Sequence, residues 1–290
     1  MLKRQGFSLL ELVLVLVMVG VLFSLCVVGI RKTREAAMQT QTHNNLKQIV
    51  LSCHGFNDAY KNLPPAFDLP ASKWLTGGMN FPASVHVYLT PFIESNPFFK
   101  DFVEAKGKGE IRNYTWAVFL APGDPTATKD GAGIQNFPAN LRVFSNKGLK
   151  TKFNANMPPL AEIEPGSASL VDSFPDGLAN TILFATKYAR CRDGGSRYVA
   201  APTSKLAAFF GQNAARMSAH ASDQTAAFQL YPTDADCLTS PLMAQSFSSS
   251  GISVGLADGS VRMISPTVSP RTWNMALQPN DGMKLGEDWD

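Results

Sequence analysis

The sequence predicts an α+β protein in which one long N-terminal helix packs on a mainly antiparallel β-sheet domain. Three observations predict it. From Gly6 to Ile30 the chain is almost uninterrupted Val, Leu, Met, Phe and Ile; residues 31–54 contain no Gly or Pro; after Leu63 short apolar or aromatic runs alternate with Pro, Gly and Asn. At 290 residues, 45% apolar and 17% charged, the composition is that of a globular domain plus a membrane helix and excludes a disordered chain. The net charge of +3 comes without a basic patch, so nucleic-acid binding is not expected.

The first half of the helix is defined by length. About 20 apolar residues at about 1.5 Å rise cover a hydrocarbon core, so residues 7–30 are expected to form a transmembrane or filament-core segment. Glu11 is the only charge inside that run. By insertion scales an acidic side chain at a helix centre costs about 2.5–3.5 kcal/mol, which makes Glu11 a functional candidate; the alternative is that it sits near the helix end and reaches the interface. The second half, 31–55, is defined by period. Leu46, Ile49, Val50 and Cys53 fall at i, i+3, i+4 and i+7, the stripe of a helix packed on one face. Gly55 is expected to stop the helix and Pro64-Pro65 to forbid its continuation, giving about 70 Å from Phe7 to His54.

The domain at 56–290 is expected to be β-rich. Residues 85–89, 116–120, 141–144, 181–185 and 252–256 read as strands between breakers. Asp258-Gly259 between two apolar runs predicts a hairpin with a two-residue type I′ turn. Asp176-Gly177 predicts a second turn leading into a strand, and 121–138 a surface loop.

The N-terminal order carries more than hydrophobicity. Lys3-Arg4-Gln5-Gly6 precedes Phe7-Ser8-Leu9-Leu10-Glu11, which resembles the class III signal sequence of type IV pilins and type II secretion pseudopilins. The resemblance implies a pilin-like fold and cleavage by a prepilin peptidase after Gly6. That would release the leader 1–6, with its Lys3 and Arg4, and leave Phe7 as an N-methylated terminus. Glu11 then takes the family's acidic assembly position, where its carboxylate would meet the Phe7 ammonium of a neighbouring subunit. In a low-dielectric filament core such pairing offsets the burial of both charges. A secretory signal peptide would be shorter and end in a small-residue site, whereas Ile30-Arg31-Lys32 follows here. A lipoprotein site would need a small residue before Cys26, and Leu25 stands there. A plain single-pass anchor explains the hydrophobicity but not the Gly-Phe-x-x-x-Glu order.

The positive-inside rule does not set the orientation, since Lys3 and Arg4 oppose Arg31, Lys32 and Arg34. The leader reading does. It implies a single-pass inner-membrane protein whose C-terminal domain is periplasmic or otherwise extracytoplasmic, in an oxidising compartment. Four cysteines allow three full pairings; with Cys26 sequestered by lipid, Cys191–Cys237 is the preferred bridge. The alternative is that both are small buried hydrophobes, as Cys53 is expected to be.

The distal motifs resemble a second family, DUF1559, which joins a prepilin-type N-terminus to a C-terminal H-x9-D-G signature. The likeness rests on Arg34-Glu35-Ala36-Ala37, Asn44-Asn45-Leu46-Lys47-Gln48-Ile49, Asn62-Leu63-Pro64-Pro65 and Leu89-Thr90-Pro91-Phe92-Ile93-Glu94 in the first third. Further on it rests on Asp176-Gly177-Leu178-Ala179-Asn180-Thr181, Ala257-Asp258-Gly259-Ser260-Val261-Arg262 and Pro279-Asn280-Asp281-Gly282. One position departs from it: Ser248 stands where the signature His belongs. The surviving Asp258-Gly259 half suits a structural turn.

No catalytic constellation is expected. Gly251-Ile252-Ser253-Val254-Gly255 matches the G-x-S-x-G elbow, but His43, His54, His86 and His220 all precede Ser253, and a triad of that fold needs a His after it. There is no H-E-x-x-H and no C-x-x-C, so no metal ligand set is assigned. Asp234 with Asp236, and Asp124 with Asp130, suggest calcium by likeness to some major pseudopilins, yet lack the calcium-loop pattern; no cofactor is expected. The expected function is thus a structural pseudopilin-like subunit of a type II secretion or type IV pilus-like system. Its partners would be prepilin peptidase and other pilin subunits, met through the N-terminal helix in the inner membrane or a surface filament. The alternative is a membrane-anchored extracytoplasmic module that binds a ligand or glycan.

Overall fold

A computed structural model describes residues 8–68, 83–93, 115–127, 133–145, 166, 168–191, 194–197, 208–211, 227–233 and 243–289. Gly6, Phe7, Asp130, Asp234, Asp236 and Cys237 lie outside the described residues. The fold is mixed α+β: a long N-terminal helix on an antiparallel-rich sheet.

Helix α1 is continuous from Leu9 to Tyr60, 52 residues, or about 78 Å at 1.5 Å per residue. It passes through Gly55, where the sequence predicts a stop. An ideal Cβ on Gly55 would stand 3.1 Å from Phe92 Cδ1, so this glycine serves close packing. The stop comes at Lys61, held at φ 64° with its N–H donating to Asn57 O at 2.7 Å, just before the proline pair. Burial past Gly55 outweighs the propensity of a single glycine: Phe56 is 1% exposed and stacks edge-on with Tyr88 and Phe92.

The strands are β1 Phe67–Asp68, β2 Ala83–Ser84, β3 Ala139–Asn140, β4 Ile182–Ala185, β5 Arg190–Cys191, β6 Gly194–Gly195, β7 Phe209–Phe210, β8 Gln229–Leu230, β9 Gln245–Ser246, β10 Ile252–Leu256 and β11 Val261–Ile264. The central sheet has the order β11-β10-β4-β3-β7, antiparallel except for the parallel β3–β7 pair. Residues 181–185 and 252–256 form the strands expected. The other three runs do not: Val85–Leu89 is helix α2, Leu141–Phe144 is the single-turn helix α3, and Ala117–Phe119 is a 3-10 turn. A short apolar run carries no period that separates strand from helix. Local chemistry decides, as at α3, where the Asn140 side chain accepts from Arg142 N.

Period two along β10 divides the domain into two cores. Val254, Ile252 and Leu256 pack with helix α4, Pro270–Leu277, through Trp273, Ala276 and Leu277. Ala257 and the 46–56 stripe of α1 belong to the other core, in which Leu46, Ile49, Val50 and Cys53 are all 0% exposed. Sandwiched by helices, β10 is buried along its whole length.

Among the described residues His86 on α2 is the one fully buried imidazole, and it sits beside the core shared with α1. Its Nε2 lies 2.8 Å from Phe137 O, while Phe119 and Phe184 face the ring edge-on. Burial pulls its pKa down to about 4, against the hydrogen bond to Phe137, which raises it. Because the folded value lies below the unfolded one, the stabilisation is complete above about pH 6.5 and is lost as pH falls towards 4. Between about pH 8 and pH 5 the wild type is therefore expected to lose about 2 kcal/mol that a His86→Phe variant does not lose. Unfolding free energies from urea melts that change equally with pH in the two proteins would contradict this. Lys187, 2% exposed, is also pushed down, to about 7; its window runs upward from there, so it touches only the top of this interval and acts equally in both proteins.

Among the described residues no helix is long and apolar enough to cross a membrane. The side chains of residues 25–29 and 31 are not described, and the described apolar portion, 9–24, is shorter than the about 20 residues a bilayer requires.

Candidate functional site

The polar residues of α1 fasten the helix to the domain. Asn45 Nδ2 donates to Leu120 O at 2.8 Å and Ala117 O at 3.2 Å; Lys47 Nζ donates to Gly259 O at 2.5 Å; His54 Nε2 lies 3.0 Å from Ala257 O; and Asn57 Oδ1 accepts from Leu170 N. The Asn44–Ile49 motif thus alternates core residues with ties to domain carbonyls. Two of those ties grip the Asp258-Gly259 turn.

That turn is not the two-residue type I′ predicted. Leu256 N donates to Ser260 O and Gly259 N to Leu256 O, so the loop is 257–259, and only Gly259 has a positive φ, 89°. This is a type I turn closed by a glycine bulge. Asp258 Oδ1 accepts from Ser260 N at 2.8 Å and Ser260 Oγ at 2.6 Å, which holds Asp258 out of the left-handed conformation that type I′ needs.

Over residues 9–24 the described side chains of α1 have no such seat. Its apolar side chains are exposed, from Leu9 at 79% to Phe23 at 72%. Ser8 is the N-cap, and its N–H donates to Glu11 Oε2 at 2.9 Å, the acidic half of a capping box. Within one chain, then, Glu11 closes the start of the helix.

Three of the sequence motifs meet elsewhere. Asp176 Oδ2 accepts from Asp281 N at 2.6 Å and Oδ1 from Gly282 N at 3.0 Å; Asn180 Nδ2 donates to Asp176 O; Asp258 N donates to Leu178 O. Segments 176–181, 258–262 and 279–282 therefore form one wall, and a cleft of about 830 Å³ opens between it and the C-terminal residues 283–289. Those residues are pinned by Asp288, whose carboxylate accepts from Ser269 N and Thr272 Oγ1 at the start of α4 and is held below the usual carboxylate range by those bonds, Thr272 first. Asp281 moves the other way, raised by burial and by the neighbouring Asp176 carboxylate.

The structure also joins His43 to Ser253, Nε2 to Oγ at 3.0 Å, which the chain-order argument had set aside. Burial lowers the pKa of His43. Ser253 is 6% exposed in the middle of β10 with its carbonyl accepting from Thr186 N, so it does not stand on a strand-to-helix elbow. Ser248 and Ser253 line the same pocket of about 300 Å³ beneath Glu35, Met38, Gln39 and Thr42 of α1.

Asp124 is not presented to solvent. Its carboxylate accepts from Thr126 N and Oγ1, Asn136 Nδ2 and Ala189 N, and the residue is 5% exposed. Among the described residues no group of His, Cys, Asp or Glu is arranged to hold a metal ion. Cys53 is a buried free thiol, and Cys191 is disulfide-bonded.

A sheet clasped between a long N-terminal helix and a short C-terminal one, with a polar cleft at its motif junction, defines the class of domain. The chain belongs to the DUF1559 family of proteins of unknown function (SBP_bac_10), whose profile matches residues 31–271. That span includes the Asp176 and Asp258 motifs and leaves residues 1–30 and the 279–282 motif outside it. No curated protein and no solved structure matches the chain.

Proposed function

We propose that this chain is a structural, pseudopilin-like subunit that assembles through its N-terminal helix. The supporting observation is the asymmetry of α1. One half is nailed to the domain by a fully buried stripe and a row of hydrogen bonds; the other half exposes Leu, Val and Phe side chains, each worth about 1.5–3 kcal/mol when taken out of water. A helix of that make-up needs lipid or other helices around it, and Gly20, with open space within 4 Å, admits close helix approach. In this reading prepilin peptidase removes 1–6, the helix enters the inner membrane or a filament core, and the domain faces the extracytoplasmic side, where the disulfide of Cys191 is at home. The domain contributes no catalytic step.

Mass spectrometry of the mature protein from cells that carry the peptidase is expected to find Phe7 as the first residue; a chain still starting at Met1 overturns the reading. Two variants then separate the roles of Glu11. Gln retains the capping acceptor for Ser8 N–H but not the charge, whereas Ala loses both. Both are expected to abolish crosslinkable oligomers without changing the melting temperature of the domain. Wild-type assembly by Glu11→Gln would show that the cap, not an intersubunit ion pair, is what Glu11 supplies.

A further inference from the structure

We propose that residues 31–34 of α1 form a cationic collar that binds the headgroups of anionic phospholipids where the helix leaves the bilayer. The proposal rests on the reading of α1 as a membrane-entering helix and goes beyond it by naming what the helix meets at the surface. Arg31, Lys32 and Arg34 follow directly on the apolar run that ends at Ile30, and with Glu35 they leave a formal charge of +2 in this short stretch. No further Asp, Glu, Lys or Arg occurs on the helix until Lys47, so the charge is confined to one thin layer. Lys32 and Arg34 are exposed, and neither is held by a hydrogen bond or an ion pair among the described residues.

Two features of the helix select lipid over a protein partner. The first is height. Helix α1 is continuous from Leu9 to Tyr60, so Lys32 stands about 35 Å beyond Leu9 along the axis, at about 1.5 Å per residue. A hydrocarbon core is about 30 Å thick, so when Leu9 lies at one of its boundaries the collar lies just past the other, at the level of the phosphates. The second is distribution around the axis. Lys32 and Arg34 are two positions apart, about 200° around an α-helix, so their side chains leave on opposite sides. A protein docked on one face of α1 would reach one of them; a plane of headgroups that the helix pierces reaches both. Lys and Arg at such a level lay their methylene stems along apolar surface and carry the charge to the phosphates. Each adds an attraction to anionic lipid that zwitterionic lipid does not supply.

The test places the full-length chain in nanodiscs of equal parts phosphatidylcholine and phosphatidylglycerol, releases it intact into a mass spectrometer and counts the lipids it retains. Phosphatidylglycerol is expected to be retained over phosphatidylcholine. The preference is expected to fall about fivefold in each of Lys32→Gln and Arg34→Gln, to rise in Glu35→Gln, and to shrink when the discs are prepared at high salt. The melting temperature of the domain is expected to stay unchanged in all three variants, since all three side chains are exposed. Equal retention of the two lipids, or an undiminished preference in the double variant Lys32→Gln with Arg34→Gln, overturns the proposal and leaves assembly through Glu11 standing. A chain that does not enter the discs overturns the membrane reading of α1 as well.

Discussion

Asp124→Ala is expected to lower the unfolding free energy by about 4 kcal/mol, the largest single-residue loss in the described domain. Four donors converge on this carboxylate: Thr126 N at 2.8 Å, Thr126 Oγ1 at 2.7 Å, Asn136 Nδ2 at 2.6 Å and Ala189 N at 2.8 Å. Hydrogen bonds to a charged acceptor contribute about 1.5–3 kcal/mol each, and a buried donor left without one costs about 1–3 kcal/mol. The loss extends further, because Asn136 also donates to Lys187 O and accepts from Ala121 N, tying the 117–124 turn to β4 and its extension. Asp124→Asn keeps one oxygen and turns an amide N–H₂ towards two donors, so about half the loss is expected from it. Urea midpoints at constant m-value measure both. A variant within about 1 kcal/mol of wild type would show that water replaces the carboxylate without penalty.

Gly255→Ala is expected to cost about 3 kcal/mol, at the crowded end of the range for overpacking. An ideal Cβ there would stand 2.4 Å from Val50 Cγ2 and 3.3 Å from Leu46 Cγ, and both side chains are 0% exposed. Val50 is β-branched on a helix and has essentially one rotamer, so it cannot step aside. The helix itself must lift from β10, loosening Lys47 from Gly259 and His54 from Ala257. Val50→Ala opens the space, and the double variant is expected to regain more than half the loss. Additivity of the two single losses in that cycle would refute the contact as the cause.

Gly255 also shows how far the sequence could be read. G-x-S-x-G is legible as a pattern, but one of its glycines is a seat for Val50, a residue 205 positions upstream in the numbering of the chain. The Leu46–Cys53 stripe was fully legible, since a 3.6-residue period needs no partner to be visible. The hairpin was legible from Asp258-Gly259, though not its turn, because the Asp258 carboxylate chose Ser260 and so set the loop at three residues. The runs at 85–89 and 141–144 misled because a residue buried on all sides leaves no alternation to read. Gly55 misled because a stop signal of about 1 kcal/mol is small beside the burial of Phe56 against Tyr88 and Phe92.

The sequence by itself determined the long helix, its division into an apolar half and a striped half, the α+β class and the positions of the motif turns. These follow from local period and turn chemistry, which act over a few residues. Only the tertiary structure decided what the motifs are for. Asp176 takes hold of residues 281 and 282, Asp124 gathers four donors, and His43 finds Ser253. Each of these joins segments far apart in the chain, and such meetings are fixed by how the two helices close on the sheet, which no local pattern encodes.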